Sequence, residues 1–473
     1  MKKLLHITIL TLLSITASAQ NWEQIGEDII SVSNDDKSGA SVSMSDDGLT
    51  MAIGSPFNSD VETNAGHVRV FIYNGVTWNL KGNIITGNPT ETGFGFSVSL
   101  SSDGNRVAVC ASWGKVRIYD WNGSSWQQIG NSLDIEPLSI IHGQVSISGN
   151  GEVVGVGDIG NTTNGTNAGE VRIYKLNGNT WEQKGSSITG SEFGNTGYAL
   201  SLSDDGNCFA TNLHRDKNIH VYYWNQTDWA LKGEIMNEFP AIQVSLSSDG
   251  NTMAISGFDG PGQNENRGYA QVYQWNGSSW NHKGNSVEGD KPSLHLGYAL
   301  SLSKNGKVMA LGQFTYDVFI GETRVYAQNG TDWEQKGETL YGQIMEYFAY
   351  SISLNATGNI LGVGMPNHIT DLNQGKKDKC RVFRNDSVLN VEDRSQLDFA
   401  LYPNPTNGNF TVDLGKEYSD INIQIYNILG QLISSEKYTS AKTIEQEITG
   451  AAGVYFVKVN SSEGAQILRI LKQ

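Results

Sequence analysis

The chain repeats one passage seven times, and this repetition constrains its fold more than any other feature. Residues 93–130 show the passage in full: a serine-rich phrase ending in Asp-Gly, a phrase of the form Lys-Val-Arg-Ile-Tyr, and a tryptophan followed four residues later by glycine. Self-similarity at a fixed period indicates stacked units that cannot bury their apolar faces alone. The glycine that ends the first phrase recurs at intervals of 44 to 56 residues, at Gly48, Gly104, Gly151, Gly206, Gly250, Gly306 and Gly358.

Each copy predicts four short antiparallel strands. In Ser97–Ser101 serine alternates with apolar residues, which is the period of two expected of a strand. Asp103-Gly104 and Asn122-Gly123 favour two-residue hairpin turns, joining the first strand to the second and the third to the fourth. Four strands in seven copies, with aromatic residues in register, predict an all-β chain whose residues 20–386 form a seven-bladed β-propeller.

The ends of the repeat array predict how the ring closes. The array begins with a fourth-strand phrase at Trp22–Gly26, whereas its last copy stops after a third-strand phrase at Cys380–Asp386. Pairing of Trp22–Gly26 with Lys379–Arg384 would supply the missing outer strand of the seventh blade. It would also remove an exposed sheet edge.

Residues 1–19 have the layout of an export signal. Lys2 and Lys3 precede an apolar run from Leu4 to Ile15, and the small residues 17–19 follow as a cleavage site. No other stretch is apolar over the length needed to cross a bilayer, so no membrane span is predicted.

Charge narrows the choice of partners. The formal net charge is −16, and −18 without the two lysines of the signal. Such acidity argues against nucleic acid or anionic lipid as a partner, because both are bound by basic patches. The alternative interpretation is that the charge serves only solubility outside the cell.

The three cysteines do not predict a disulfide framework. Cys110, Cys208 and Cys380 fall in different copies of the repeat. Cys110 takes a strand position that is glycine in four other copies, so we expect a small buried residue there.

Short triplets carry a family resemblance. Gly54-Ser55-Pro56, Gly364-Met365-Pro366 and Phe94-Gly95 resemble the FG-GAP repeats of integrin α-subunit propellers, and residues 22–386 resemble secreted bacterial relatives of them. Integrin-type repeats often carry calcium loops of the form D-x-D-x-D-G. The corresponding turns here, such as Ser45–Gly48, hold only one or two carboxylates, so neither calcium nor any other cofactor is predicted.

The tail differs from the repeats. Residues 387–396 lose the repeat phrases and predict a linker, and residues 397–473 predict a separate β domain. Along its whole length this tail is similar to the type A sorting domain of the type IX secretion system. The resemblance implies a Bacteroidetes-type cell, an Ig-like β-sandwich, recognition by the secretion machinery, and attachment at the cell surface or release. The matching positions are Pro403, Asn404, Pro405, Gly408, Gly430, Gly453, Tyr455 and Lys472.

No catalytic constellation is found at a useful spacing. G-x-S-x-G, H-E-x-x-H and C-x-x-C are all missing from the sequence. His214-Arg215-Asp216 resembles part of a kinase loop, but it lies between strands with no other kinase motif nearby. The chain is therefore predicted not to be an enzyme.

The topology predicts a binding face. By strand parity the Asx-Gly hairpins share one rim, called the Asx-Gly rim here, and the remaining loops share the other, called the variable rim. Variable polar loops on a rigid scaffold are typical of binding sites, although neutral drift in loops is the alternative. Trp113 could offer its indole to a sugar or a protein, or pack against a neighbouring blade. The candidate ligand-binding residues are Trp113, His214, Arg215, Asp216, Asp259 and Arg267.

Together these features predict a secreted or cell-surface propeller that binds an extracellular glycan or protein. Two alternatives remain: a glycan-degrading enzyme with carboxylates at the mouth of the central channel, and a structural component of a surface layer. Paired carboxylates and arginines at the channel mouth would favour the enzyme. A rim of aromatic and polar residues would favour binding.

Overall fold

A computed structural model shows an all-β chain that divides into two compact units, residues 1–388 and 389–473. The predicted signal (1–19) and linker (387–396) lie outside the residues that the structure describes. The described residues are 21–112, 115–134, 143–213, 218–236, 241–258, 266–290, 292–314, 320–344, 346–366, 377–386, 399–427, 431–461 and 464–473.

Seven antiparallel sheets confirm the seven-bladed propeller. In each blade an inner strand is followed by a second, a third and an outer strand. The inner strands are Ser41–Met44, Ser97–Leu100, Gln144–Ile147, Leu200–Leu202, Gln243–Leu246, Ala299–Leu302 and Ser351–Leu354. The second strands are Thr50–Ser55, Arg106–Cys110, Val153–Asp158, Cys208–Leu213, Thr252–Gly257, Val308–Phe314 and Ile360–Met365.

The third and outer strands complete the blades. The third strands are His67–Tyr73, Lys115–Trp121, Glu170–Asn177, Asn218–Trp224, Tyr269–Trp275, Gly321–Asn329 and Lys379–Arg384. The outer strands are Trp78–Leu80, Trp126–Gln128, Thr180–Gln183, Trp229–Met236, Trp280–His282, Asp332–Gln335 and Glu23–Gln24. Short further strands that also pair with the third strand are Ile85–Thr86, Leu133–Asp134, Ile188–Thr189, Val287–Glu288, Leu340–Tyr341 and Ile29–Ile30.

A glycine separates the outer strand from the short strand in six blades. In the first blade the N–H of Lys81 still donates to Val70 of the third strand, over 2.7 Å. The next residue, Gly82, has a φ of +78°, a left-handed conformation that favours glycine. This is the glycine of the repeated Trp-x-x-x-Gly phrase. The fourth blade differs, because its outer strand Trp229–Met236 is continuous.

The tryptophan of the same phrase joins neighbouring blades. Its indole N–H donates to the carbonyl of the residue before the glycine in the preceding blade, as Trp78 does to Ile25 over 3.0 Å. The Nε1 of Trp280, which lies against the fourth blade, has no partner among the described residues. The phrase therefore specifies contacts between blades as well as a turn. The donors are Trp22, Trp78, Trp126, Trp181, Trp229 and Trp333.

The N-terminal strand closes the ring as predicted. Glu23–Gln24 pairs with Phe383–Arg384, and Ile29–Ile30 pairs with Lys379–Cys380, both antiparallel. The indole N–H of Trp22 also donates to a carbonyl of the sixth blade over 3.1 Å. Strands from the two ends of the array therefore complete the seventh blade.

The turn between the inner and second strands is longer than the predicted two-residue hairpin. Four residues separate Ser101 from Arg106, and Gly104 has a φ of +66°. The carboxylate of Asp103 accepts hydrogen bonds from Ser101 Oγ at 2.6 Å and from the N–H of Asn105 at 3.0 Å. The prediction was wrong because the aspartate side chain, and not a second residue with positive φ, completes the turn.

All three cysteines are buried and free. Cys110 pairs with Ser97 in the position that pairs Gly54 with Ser41, which confirms the expected small buried residue. Burial raises the pKa of Cys208 to about 11 and that of Cys380 to about 12, so both thiols stay protonated near neutral pH.

The second unit is one five-stranded antiparallel sheet. Its longest strand bends between Asp413 and Tyr418, where the register with its neighbour shifts. Apolar side chains on both sides of the bend, such as Val412 and Ile423, belong to one core. A single curled sheet therefore forms the layers of the predicted sandwich. Its strands are Ala400–Tyr402, Asn409–Asn427, Leu432–Glu447, Gly453–Ser461 and Gly464–Lys472.

Motif residues of the tail tie its two ends together. The side-chain oxygen of Asn404 accepts a hydrogen bond from the N–H of Leu471 at 3.0 Å. Lys472 donates its ammonium to the carbonyl of Ile448 at 2.6 Å. These residues thus have a structural role within the small domain.

Candidate binding site at the mouth of the central channel

The inner strands of the seven blades surround a central channel, and their alternation places serine on its wall. In the first blade Ser41 and Ser43 are half-buried, whereas Val42 and Met44 are buried. The third position of this phrase is serine in every copy: Ser43, Ser99, Ser146, Ser201, Ser245, Ser301 and Ser353.

These seven hydroxyl groups link the blades in a closed ring. Each oxygen accepts a hydrogen bond from a backbone N–H of the next blade over 2.9 to 3.1 Å, as Ser43 does from Leu100. We call this ring the serine belt. It satisfies N–H groups on the free edges of the inner strands, which have no neighbouring strand to pair with.

A second closed ring lies on the Asx-Gly side of the serine belt. One turn residue of each blade donates its backbone N–H to the carbonyl of the equivalent residue in the next blade, over 2.8 to 3.1 Å. The ring passes through Asp46, Ser102, Gly149, Asp204, Ser248, Lys304 and Ala356 and returns to Asp46.

One lysine of that ring spans the channel. The ammonium of Lys304 lies 2.7 Å from Oδ1 of Asp46 and 2.6 Å from Oδ1 of Asp204. It also donates to Oγ of Ser102 at 2.5 Å. The three partners belong to the first, fourth and second blades, and Lys304 to the sixth. Together with the backbone ring, these contacts obstruct the channel at the Asx-Gly rim. We call Lys304 and its three partners the lysine floor.

At the variable rim the channel widens into a cavity of about 310 Å³, called the mouth cavity here. Its wall is built from the first residues of the inner strands and the residues just before them. Four of the latter are aromatic and half-buried: Phe96, Tyr198, Tyr298 and Tyr350. The rings of Tyr298 and Tyr350 have centroids 5.5 Å apart, and Phe258 stacks on Tyr298 at 6.2 Å.

The polar groups of the mouth cavity are uncharged. Gln144 and Gln243 contribute amides, and Ser41, Ser97 and Ser351 contribute hydroxyl groups. None of the described residues that line the cavity carries a formal charge. Aromatic rings beside amides and hydroxyl groups favour an uncharged ligand, because a buried charge needs a charged or strongly polar partner.

Pairs of carboxylates and arginines occur elsewhere in the blades. Burial by itself raises the pKa of Glu346, but a hydrogen bond from Lys379 and the neighbouring positive charges hold it below its ordinary value. A carboxylate kept ionised in this way lacks the raised pKa of a general acid. None of these pairs lines the mouth cavity. They are Arg117 with Glu91, Arg172 with Asp158 and Glu170, Arg324 with Glu322 and Asp290, and Arg381 with Asp28 and Glu346.

The turn carboxylates are also engaged. Each accepts a hydrogen bond from a serine two residues earlier and from a backbone N–H two residues later, as in Asp47, Asp103, Asp205 and Asp249. Burial raises the pKa of Asp103, but these hydrogen bonds outweigh it and lower the pKa overall. In the part of the chain that the structure describes, no group of three or more His, Cys, Asp or Glu side chains is placed to hold a metal ion.

Most of the candidate residues predicted from sequence cannot be placed. Trp113, His214, Arg215, Asp216 and Asp259 lie outside the described residues. Arg267 is half-buried on the variable rim, where its Nη1 donates to the carbonyl of Asp290 at 3.4 Å. It does not line the mouth cavity.

Sequence reasoning missed the aromatic residues of the mouth cavity, although the repeats contain a signal for them. A glycine with positive φ precedes three of the four rings, at Gly95, Gly197 and Gly297. The resulting Gly-Phe or Gly-Tyr dipeptide stands just before the serine-rich phrase. A comparison of the residues preceding each inner strand would have found it.

Comparisons with known proteins bear on both units. The family model of the secretion system C-terminal sorting domain matches residues 400–473. The fold is similar to the crystal structure of the β-propeller domain of Cps50 (Swd1) from Myceliophteria thermophila, with a TM-score of 0.53 and 10% identity. That similarity covers 76% of this chain and 99% of the other, and at this identity it shows the fold alone. No curated protein matches the sequence significantly.

The chain is therefore a β-propeller that carries a C-terminal sorting domain of the type IX secretion system. The sorting domain directs the protein to the cell surface or the surroundings of the cell. Among the described residues, no helix is long and apolar enough to cross a bilayer.

Proposed function

We propose that the exported propeller is a binding protein that recognises an extracellular glycan or protein on its variable rim, with the mouth cavity at the centre of the site. One observation carries this proposal: four aromatic rings and two glutamine amides converge on a cavity with no formal charge among its described lining residues. Half-exposed aromatic rings beside amides and hydroxyl groups are common in recognition sites.

The loops of the variable rim support the same proposal. In the first, third and fifth blades, the described end of the loop after the second strand runs beside the connection that leads into the next blade, as bridges at Gly66–Phe94, Gly169–Thr196 and Gly268–Leu296 show. The described ends of these loops therefore lie beside the segments that lead into the cavity-lining strands. We include Trp113, His214–Asp216, Asp259 and Arg267 in the proposed surface on this basis.

The proposed role is adhesion or recognition without catalysis. The resemblance of the repeats to the FG-GAP repeats of integrin α-subunits supports a role in adhesion. The arginine–carboxylate pairs lie outside the mouth cavity, and no acid–base pair is described at its wall.

Binding can be tested with the purified full chain on arrays of glycans and of extracellular proteins. We expect a ligand whose affinity falls at least tenfold in the double variant Tyr298→Ala/Tyr350→Ala. Tyr223→Ala is a matched control, because Tyr223 is exposed on a third strand outside the cavity. Undiminished binding by the double variant, or turnover of a glycan into products, would contradict the proposal.

A further inference from the structure

We infer that the mouth cavity receives the terminal residue of an uncharged sugar chain, inserted end-on from the variable rim. This inference rests on the proposed binding function and names the class of its ligand. Four features of the channel carry it: one closed end, an uncharged wall, stacked layers of aromatic and hydroxyl groups, and a small volume.

The closed end decides how a ligand can enter. Lys304 bonds at once to Asp46, Asp204 and Ser102, three residues of three other blades. The closed backbone ring surrounds this contact on the Asx-Gly rim. A polymer cannot thread through a channel that is blocked in this way. The occupant of the mouth cavity must therefore present an end or a branch tip, and not an internal stretch of chain.

The charges decide which ends are accepted. The described wall of the mouth cavity has no formal charge, so it offers no cationic partner for the carboxylate of an acidic sugar. At the other end of the channel, in the lysine floor, one ammonium faces two carboxylates. The net charge of the lysine floor is negative, and so is the net charge of the whole chain, −16. Both disfavour an anionic ligand.

The layers of the channel match the two kinds of surface that a sugar ring has. Phe96, Tyr198, Tyr298 and Tyr350 present flat apolar faces suited to the C–H face of a sugar. A serine of the serine belt stands three residues after each of these rings, further along the channel, and all seven belt serines are half-buried. Each oxygen accepts one backbone N–H, which leaves its own O–H to donate. Gln243 adds an amide that both donates and accepts.

The volume limits the size of the occupant. A cavity of about 310 Å³ lies at the small end of the range of roughly 300 to 1,000 Å³ that is usual for ligand sites. We therefore expect the cavity to hold one or two sugar residues, with the rest of the glycan crossing the variable rim.

The test uses the purified full chain and pairs of immobilised oligosaccharides. In each pair a neutral oligosaccharide is displayed with its free end exposed, and again with that end capped by an acidic sugar. We expect binding to the free neutral end and at least a tenfold loss on capping. Tyr298→Ala and Gln243→Ala should each weaken binding at least tenfold at an unchanged melting temperature, whereas Tyr223→Ala should bind normally.

The outcomes separate the inference from the proposed function. The inference would be overturned, and the binding function left intact, if Tyr298-dependent binding were found for another kind of ligand. Such ligands are capped ends, internal stretches of a glycan, acidic glycans and proteins. Binding of neutral ends that is indifferent to Tyr298→Ala and Gln243→Ala would overturn the mouth cavity as their site. No binding to any glycan or protein would overturn both.

Discussion

The two rims of the propeller differ in how completely their polar groups are bonded. On the Asx-Gly rim seven backbone N–H groups form a closed ring, and Lys304 binds three residues across it. Near the variable rim several buried polar atoms have no hydrogen-bond partner among the described residues. They are Ser55 Oγ, His67 Nε2, Thr196 Oγ1, Gln313 Oε1 and Thr323 Oγ1.

This difference explains why the repeats are uniform at one end and variable at the other. A serine or aspartate in the Asx-Gly turn has fixed partners in its own blade, and the turn backbone has fixed partners in the next. A substitution there leaves another polar group unpaired. The bonds of the variable rim differ from blade to blade, as between Asn58 and Asp36 in the first blade and between Asn161 and Glu170 in the third, so its loops can differ in length and chemistry. Buried polar groups without partners are also uncommon enough to mark places where function outweighs stability.

Deleting residues 20–27 should have the largest effect, because both rims depend on closure of the ring. The deletion removes the outer strand of the seventh blade and the buried side chain of Trp22. We expect a loss of about 5 kcal/mol or more in the free energy of unfolding, or aggregation through the exposed edge. Urea unfolding followed by tryptophan fluorescence measures this. Trp22→Phe is the milder control, because it loses only one hydrogen bond. If the deletion variant were as stable as the full chain, the ring would have to close through other strands.

His67 should make the variable rim sensitive to acid. Burial, with repulsion from Arg69, lowers the pKa of this histidine to about 4 from an ordinary value of 6.5. Between those values the unfolded chain binds the proton and the folded chain does not, so stability should fall as pH drops from about 6.5 to about 4. The full loss is about 3 kcal/mol. His67→Gln should flatten this dependence of stability on pH, whereas Thr163→Ala in a variable-rim loop should keep it. If stability still fell with pH as steeply in His67→Gln, His67 would not be the group responsible.

Lys304→Met should destabilise the propeller without affecting the variable rim. The change leaves Asp46 and Asp204 close together without their shared cation. Because all three side chains are partly exposed, we expect a loss of about 2 kcal/mol, measured by urea unfolding. Lys175→Met, at an exposed lysine, serves as control. A variant as stable as the native protein would show that the lysine floor is not a structural element.

Ser99→Ala should have the smallest effect. It removes the acceptor for the N–H of Ile147, one of seven bonds in the serine belt. An unpaired backbone N–H costs about 1 to 2 kcal/mol. Thr163→Ala should change stability by no more than about 0.5 kcal/mol. If the two substitutions have equal effects on chemical denaturation, the belt does not stabilise the ring.

The sequence predicts the propeller well because its strongest signals are local and repeated. The inner strand is predicted by the alternation at Ser97–Ser101. The closing strand is predicted by the third-strand phrase at Cys380–Asp386, which has no fourth-strand phrase after it. Loop length was predicted less well, since the side chain of Asp103 replaces the backbone geometry that a two-residue turn needs. The continuous outer strand of the fourth blade was also missed, because Gly233 has the same spacing from Trp229 as the glycines that break the other outer strands.

The candidate site was harder to predict for a physical reason. Tyr298 and Tyr350 lie 52 residues apart in the sequence and meet only when their blades stand side by side. Lys304 likewise resembles an ordinary turn residue until the ring brings Asp46 and Asp204 to it. Repeats reveal the position that each residue takes in its blade. The chemistry at the central channel depends on residues of different blades, which meet only in the folded ring.

The central claim is that ligand binding belongs to the variable rim and that the bonds of the Asx-Gly rim serve stability. The most direct measurement compares the ligand affinity and stability of Tyr298→Ala/Tyr350→Ala with those of Asp103→Ala/Asp249→Ala. We predict at least a tenfold loss of affinity at nearly native stability for the first pair. For the second we predict native affinity with a loss of about 1 kcal/mol per turn. Weakened binding in the Asx-Gly pair, with native affinity in the tyrosine pair, would contradict the assignment of the two rims.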